Sequence, residues 1–252
     1  MTARRGIFVA PFDELADPRL LAELAASAEG RGWDGFFLWD HVAYRAPVRA
    51  LADPWVALSA VACATQRLLL GPMVTPLPRR RVHKLARETV TLDHLSQGRL
   101  RLGVGLGSDR TGELEPFGEV VDARERAQLL DVGLDRLTEF WAGKFEPRPV
   151  QRPRIPVWVA GRWPNRRPVR RAARWDGLFP IDLPDPAALA ALGVWVREWR
   201  AGADEPFELI VTNPAGTDPR PWEAAGATWL LTGFGPQPSA AEVRHVIEAG
   251  PE

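Results

Sequence analysis

Two rhythms alternate along the chain. Short apolar runs rich in Val, Phe, Leu and Gly, such as GIFVA, GFFLW and RLRLGVG, are each followed by a segment with apolar residues three and four apart, as in LARETVTLDHL. This pattern predicts strands at residues 6–10, 35–39, 68–74, 100–105, 157–160, 177–181, 208–212 and 228–231. Helices are predicted between them at 18–31, 54–65, 82–96, 123–141, 165–174, 186–199, 220–225 and 240–248. Eight strand–helix repeats in 252 residues fit an α/β fold, a (β/α)8 TIM barrel, with residues 1–252 as a single domain. Asp17-Pro18, Asp53-Pro54, Asp185-Pro186 and Asp218-Pro219 supply cap carboxylates and preset φ angles at helix starts. The Pro-rich stretch at 146–156 can sustain neither helix nor inner strand and reads as an extended connection.

Right-handed crossovers between parallel strands put all strand C-termini on one side, where barrel chemistry sits. Asp40 and His41 leave the second strand there, either as acceptor and titratable donor at the mouth or as a turn cap and a ring packed on Tyr44. Thr75 ends the third strand; its hydroxyl could meet a ligand edge or a neighbouring carbonyl. GVGLGS after the fourth strand lacks the dinucleotide register, so Gly107 reads instead as a place where a flat ring can approach backbone. Gly161 and Arg162 precede an Arg-rich helix whose N-terminus is either a phosphate site or a solvated surface.

Lys+Arg and Asp+Glu both total 32, which gives no charge excess to favour nucleic acid or an anionic membrane. Lys84 and Lys144 are the only lysines, so arginine clusters are weak signals in this chain. Cys63, the sole cysteine, lies in an apolar helix and reads as a small buried residue; a reducing, cytoplasmic setting is expected. No secretory leader and no membrane span is expected. His41, His83, His94 and His245 show no metal-ligand spacing, and no G-x-S-x-G elbow is present, so neither a metal centre nor a serine nucleophile is predicted.

The strings GWDGFFLWDHV, LGPMVTPLPRRR, ETVTLDHLSQGRL, LGVGLGS, RPVQRPRIPVWVAGRWPNRRPVRRAARWDGLFP and GATWLLTGFGP resemble the luciferase-like flavin- or F420-dependent oxidoreductases. The resemblance implies F420 or FMN bound at the C-terminal barrel face and a small organic substrate that is oxygenated or exchanges hydride. A reductase supplying reduced cofactor and a second copy of the chain are the protein partners it allows. It places Asp40 and His41 beside the ring as catalytic and cofactor-binding residues, and a non-proline cis peptide at Met73-Val74 bulging toward the ring's centre, followed by Thr75. Gly107 and the phosphate segment Gly161, Arg162 and Trp163 complete the implied cofactor site. The Asp-His pair inclines the reading toward F420. The chain departs from the pattern at Ser108, where some F420-dependent relatives carry a proton-donating Glu, leaving Asp109, Glu113 and Glu115 as nearby carboxylates. It also lacks a short hairpin expected before residue 146. An FMN monooxygenase, a barrel hydrolase built on Asp40 and His41, and a non-catalytic flavin-binding barrel are the rival readings.

Overall fold

The computed structural model describes residues 2–203 and 205–251. Its strands are β1 (Arg4–Val9), β2 (Gly35–Leu38), β3 (Leu69–Pro72), β4 (Thr75–Pro76), β5 (Leu102–Gly105), β6 (Val157–Arg162), β7 (Gly177–Ile181), β8 (Glu208–Pro214) and β9 (Trp229–Gly233). The helices are α1 (Pro18–Gly30), α2 (Pro54–Ala64), α3 (Val82–Leu95), α4 (Ala123–Glu139), α5 (Arg166–Ala172), α6 (Pro186–Trp199), α7 (Arg220–Ala224) and α8 (Ala240–Ala249). All strand pairs are parallel, in the order β3-β2-β1-β9-β8-β7-β6-β5-β4. The ring closes where the two ends meet: Leu70 bridges Leu100, and the Arg101 N–H donates to the Leu70 carbonyl at 2.8 Å. The fold is therefore the predicted (β/α)8 barrel.

The third strand differs from the continuous run predicted over 68–74. It is interrupted at Met73-Val74, whose peptide is cis, so that β3 pairs with β2 and β4 pairs with β5. Strand propensity cannot signal such a break, because both halves are apolar and extended.

Side chains alternate across the barrel wall. Ile7, Phe36, Leu38 and Leu70 pack outward against the helices, whereas Phe37, Trp158, Trp229 and Leu231 fill the interior. Phe37, Trp158 and Trp229 lie with ring centroids 5.4 to 5.7 Å apart. This aromatic plug seals the lower barrel and leaves its open space near the strand C-termini. Asp17, Asp53 and Asp185 accept helix N–H bonds as expected from their Asp-Pro steps. Cys63, predicted buried, is instead exposed on α2. That helix is apolar nearly all round, so sequence periodicity could not orient it. Among the described residues no helix is long and apolar enough to cross a membrane.

Barrel closure imposes a close backbone approach at Gly71, where a Cβ atom would stand 1.8 Å from the Arg101 carbonyl oxygen. Gly71→Ala must push two backbones apart, and we expect it to cost about 3 kcal/mol or more in urea unfolding. A variant with wild-type stability would show that the closure is not this tight.

Candidate active site

The C-terminal ends of the strands surround a cavity of about 780 Å³. Its walls are largely flat and apolar: Phe8, Trp39, Val74, Leu106, Phe179 and Ile181. Polar groups reach it from few directions, notably Asp40 and His41 from the end of β2 and Arg110 and Glu113 from the loop after β5. Arg162 enters from the end of β6 and Asp182 from the end of β7. A mainly apolar concavity with a few converging polar groups is the usual form of a small-molecule site.

Beneath this cavity lies a buried ion network. Asp40 has a fully buried side chain whose oxygens accept from Thr75 Oγ1 at 2.7 Å, from an Arg79 Nη at 2.9 Å and from Arg80 Nη2 at 2.9 Å. Arg79 also donates to Glu113 Oε1 at 2.8 Å, so one guanidinium joins a carboxylate at the end of β2 to a carboxylate in the loop after β5. Glu113 accepts further bonds from the Val42 N–H at 3.0 Å and the Thr111 hydroxyl at 2.8 Å. Its second oxygen lies 2.6 Å from His41 Nδ1. Two carboxylates and two guanidiniums thus share one low-dielectric pocket with balanced charge. Burial alone would raise the Glu113 carboxyl, but His41, the Arg79 bond and the Val42 N–H outweigh it and lower it from 4.5 to about 2.

The network fixes the imidazole. An acceptor at Nδ1 selects the tautomer, while Phe12, Trp39 and Tyr44 hold the ring at centroid distances of 5.7, 5.7 and 5.1 Å. His41 therefore packs on Tyr44, as one sequence reading had it, and also lines the cavity, as the other did. Among the described residues its Nε2 has no partner.

The structure brings Asp40, His41, Met73, Val74, Gly107, Gly161 and Arg162 to the cavity wall. Thr75 is absent from that wall because its hydroxyl is turned to Asp40. Trp163 is also elsewhere, stacked on Trp195 at 5.6 Å with planes 10° apart, so its side chain does not line the cavity. Asp40 touches the cavity, but its oxygens already accept from Thr75, Arg79 and Arg80. Arg162 lies against Asp182 and beside Arg110, and burial followed by the Arg110 charge lowers its guanidinium from the ordinary value. Arg79 and Arg80 were not singled out by the sequence reading, since the PRRR string is inconspicuous in an Arg-rich chain. Their position just past a strand C-terminus was the available signal. Among the described residues no cluster of three His, Cys, Asp or Glu side chains is arranged to hold a metal ion.

Removing one charge from the network leaves its partners buried and uncompensated. Asp40→Asn should cost about 3 to 5 kcal/mol in denaturant unfolding; a loss below about 1 kcal/mol would mean that water already screens the arginines. Glu113 adds a pH signature. Because folding lowers its carboxyl, the stabilisation is complete above about pH 4.5 and is lost as the pH falls toward 2. The stability gap between wild type and Glu113→Gln should therefore close over that interval, and a gap independent of pH there would contradict the network.

Comparison with known proteins places the chain in a family. An uncharacterized protein of Mycobacterium tuberculosis (strain ATCC 25618 / H37Rv) is 32% identical over 217 residues, covering 78% of this chain and 74% of the relative. An F420-dependent glucose-6-phosphate dehydrogenase of Nakamurella multipartita is 35% identical over 135 residues, 50% of this chain and 38% of that protein. Among solved structures, an F420-dependent secondary alcohol dehydrogenase in complex with an F420-acetone adduct superposes with a TM-score of 0.80 at 16% identity, over 100% of both chains. Flavin-dependent and FMN-binding monooxygenases are further matches. The family model described as luciferase-like monooxygenase covers residues 5–248, from β1 to α8, and the chain belongs to that family.

Proposed function

We propose that this protein is an F420-dependent oxidoreductase that interconverts an alcohol and a carbonyl in a small organic substrate, with His41 handling the proton. The observation that carries this reading is the geometry of His41: Nδ1 is held 2.6 Å from the buried Glu113 carboxylate, while Nε2 is left without a protein partner on a residue that lines the cavity. A general acid–base group needs such a fixed orientation and a free nitrogen. The known F420 enzymes among the relatives support the choice of cofactor.

The cavity suits a flat, phosphate-bearing group. Val74 bulges into it beyond the cis peptide, and Gly105 and Gly107 border it without side chains. At Gly105 a Cβ would stand 2.9 Å from the Val74 side chain. Trp39 Nε1 is buried with no acceptor. At the rim, Arg110 and Arg162 face the cavity, and an anion bound there would share Arg162 with Asp182. In this reading Val74, Gly105 and Gly107 would border the ring, and Arg162 with Arg110 would hold the phosphate. The bound cofactor would supply the hydride acceptor or donor.

The chain's own residues would manage the rest. As the substrate carbon gives up hydride, its hydroxyl proton passes to His41 Nε2; in the reverse direction Nε2 returns it to the carbonyl oxygen. Glu113 stabilises the imidazolium formed in the first direction, and Arg79 keeps Glu113 ionised and in place. The apolar walls keep water from the reacting atoms.

Titration with oxidised F420 and FMN tests the reading. F420 should bind at micromolar or lower concentration and FMN at least about tenfold more weakly. Arg162→Ala should weaken F420 by roughly ten- to a hundredfold while leaving the dephosphorylated cofactor unaffected. His41→Ala should keep most of the F420 affinity but lose turnover by roughly a hundredfold or more. Tight FMN binding with no F420 binding would reject the proposal in favour of a flavin monooxygenase. Equal weakening of both forms by Arg162→Ala would place the phosphate elsewhere.

A further inference from the structure

A second cavity, of about 480 Å³, opens at the opposite end of the barrel, below the aromatic plug. It is lined by Arg4, Arg67 and Arg101 together with Glu29, Trp33 and Asp34. The formal charges nearly balance, but the groups are not equally available. The Glu29 carboxylate caps a turn, accepting the N–H groups of Gln66, Arg67 and Leu68 at 2.9, 2.6 and 2.8 Å. Asp34 accepts the Arg5 N–H at 2.8 Å. Both carboxylates are thus held by backbone, and among the described residues neither stands within ion-pair distance of an arginine of the cavity, although the Arg67 charge helps to lower Glu29.

Arg101 is the organised member. Its backbone is locked at barrel closure, where its N–H bonds to Leu70 and its carbonyl presses on Gly71. Its Nη1 donates to the Leu100 carbonyl at 3.0 Å and to Gln151 Oε1 at 2.9 Å. Gln151 is itself oriented by Asp93, 2.7 Å from its amide nitrogen. Two neutral acceptors therefore aim the guanidinium, and the carboxylates of Glu208, Asp176 and Asp93 act on its charge without standing within ion-pair distance among the described residues. Arg4 lies over the Trp229 ring at 5.5 Å and has no carboxylate within ion-pair distance among the described residues. Burial, followed by the neighbouring Arg4 charge, lowers the Arg101 guanidinium from its ordinary value. An oriented, part-buried arginine repelled by a second one is stabilised by an anion that spans both.

We infer that this lower cavity is a binding site for a small dianionic oxyanion of phosphate type, with Arg101 as its anchor and Arg4 as its second clamp. Among the described residues the planar guanidinium of Arg101 has no hydrogen-bond partner at Nε or Nη2, a fork that matches two oxygens of one phosphate. Trp33 and Leu69 offer an apolar wall to an organic portion, so both free phosphate and a small phosphomonoester fit the chemistry. The site lies across the barrel from His41 and does not depend on the reaction proposed there.

The test is calorimetric titration of the full chain with inorganic phosphate, and separately with glycerol 1-phosphate and malonate, at constant ionic strength set with chloride. The Arg162→Ala background weakens binding at the mouth, so that the lower cavity dominates the titration. Either phosphate should bind saturably, and the tighter of the two identifies the source. Arg101→Gln should weaken it roughly tenfold or more, the loss expected for one charge-assisted contact. Should Arg101→Gln fail to fold, the exposed Arg4→Gln carries the same expectation. Absence of phosphate binding in the Arg162→Ala background, affinity unchanged by both substitutions, or binding of malonate in place of both phosphates would overturn the inference.

Discussion

Arg79 ties the end of one strand to a distant loop at the mouth of the barrel. Its guanidinium, with a side chain only 5% exposed, bridges Asp40 at the end of β2 and Glu113 in the loop after β5. Those elements are far apart in sequence and sit on either side of the broken third strand. In a low-dielectric setting each carboxylate or guanidinium alone would be costly. Together with Arg80 they compensate one another, and the loop that closes one side of the cavity is fixed by the same contacts that orient His41. The identity of the side chains at 40, 79, 80 and 113 is therefore a constraint on fold and site at once.

The break in the third strand makes the network possible. Had the strand run straight through residues 73–74, Thr75 and the turn after it would continue along β2. Instead β4 crosses to β5, and the short helical turn over Leu77–Arg79 returns Arg79 and Arg80 beneath Asp40. Val74 is left directed into the cavity, while Thr75 Oγ1 donates to Asp40. Placement of the arginines and shape of the cavity floor both accompany this one local departure from strand geometry.

Much of this was legible in the sequence. The repeat of apolar runs and amphipathic segments identified the eight strand–helix units, and the position of Asp40 and His41 past a strand end brought both to the cavity. What the sequence hid has physical causes. Thr75 and Trp163 were assigned to a cofactor by their place in the chain, but side-chain direction is a tertiary property: one turns to Asp40 and the other stacks on Trp195. Arg79 and Arg80 were masked by arginine abundance, and charge counting cannot tell a buried bridging guanidinium from a solvated one. Glu113 was only one of several carboxylates in a polar loop. Its role depends on how that loop folds back over β2, for which spacing carries no signal. Cys63 was misplaced because an almost uniformly apolar helix gives no moment to read.

The central claim is that the buried carboxylate of Glu113 fixes the His41 tautomer and leaves Nε2 for chemistry in the cavity. Long-range nitrogen–proton NMR on the protein, which has 4 histidines, reads this directly, with His41→Gln used to assign the signal. The expected result is a proton on Nδ1 hydrogen-bonded to Glu113, none on Nε2, and loss of the tautomer preference in Glu113→Gln. A neutral His41 carrying its proton on Nε2, unchanged by Glu113→Gln, would contradict it.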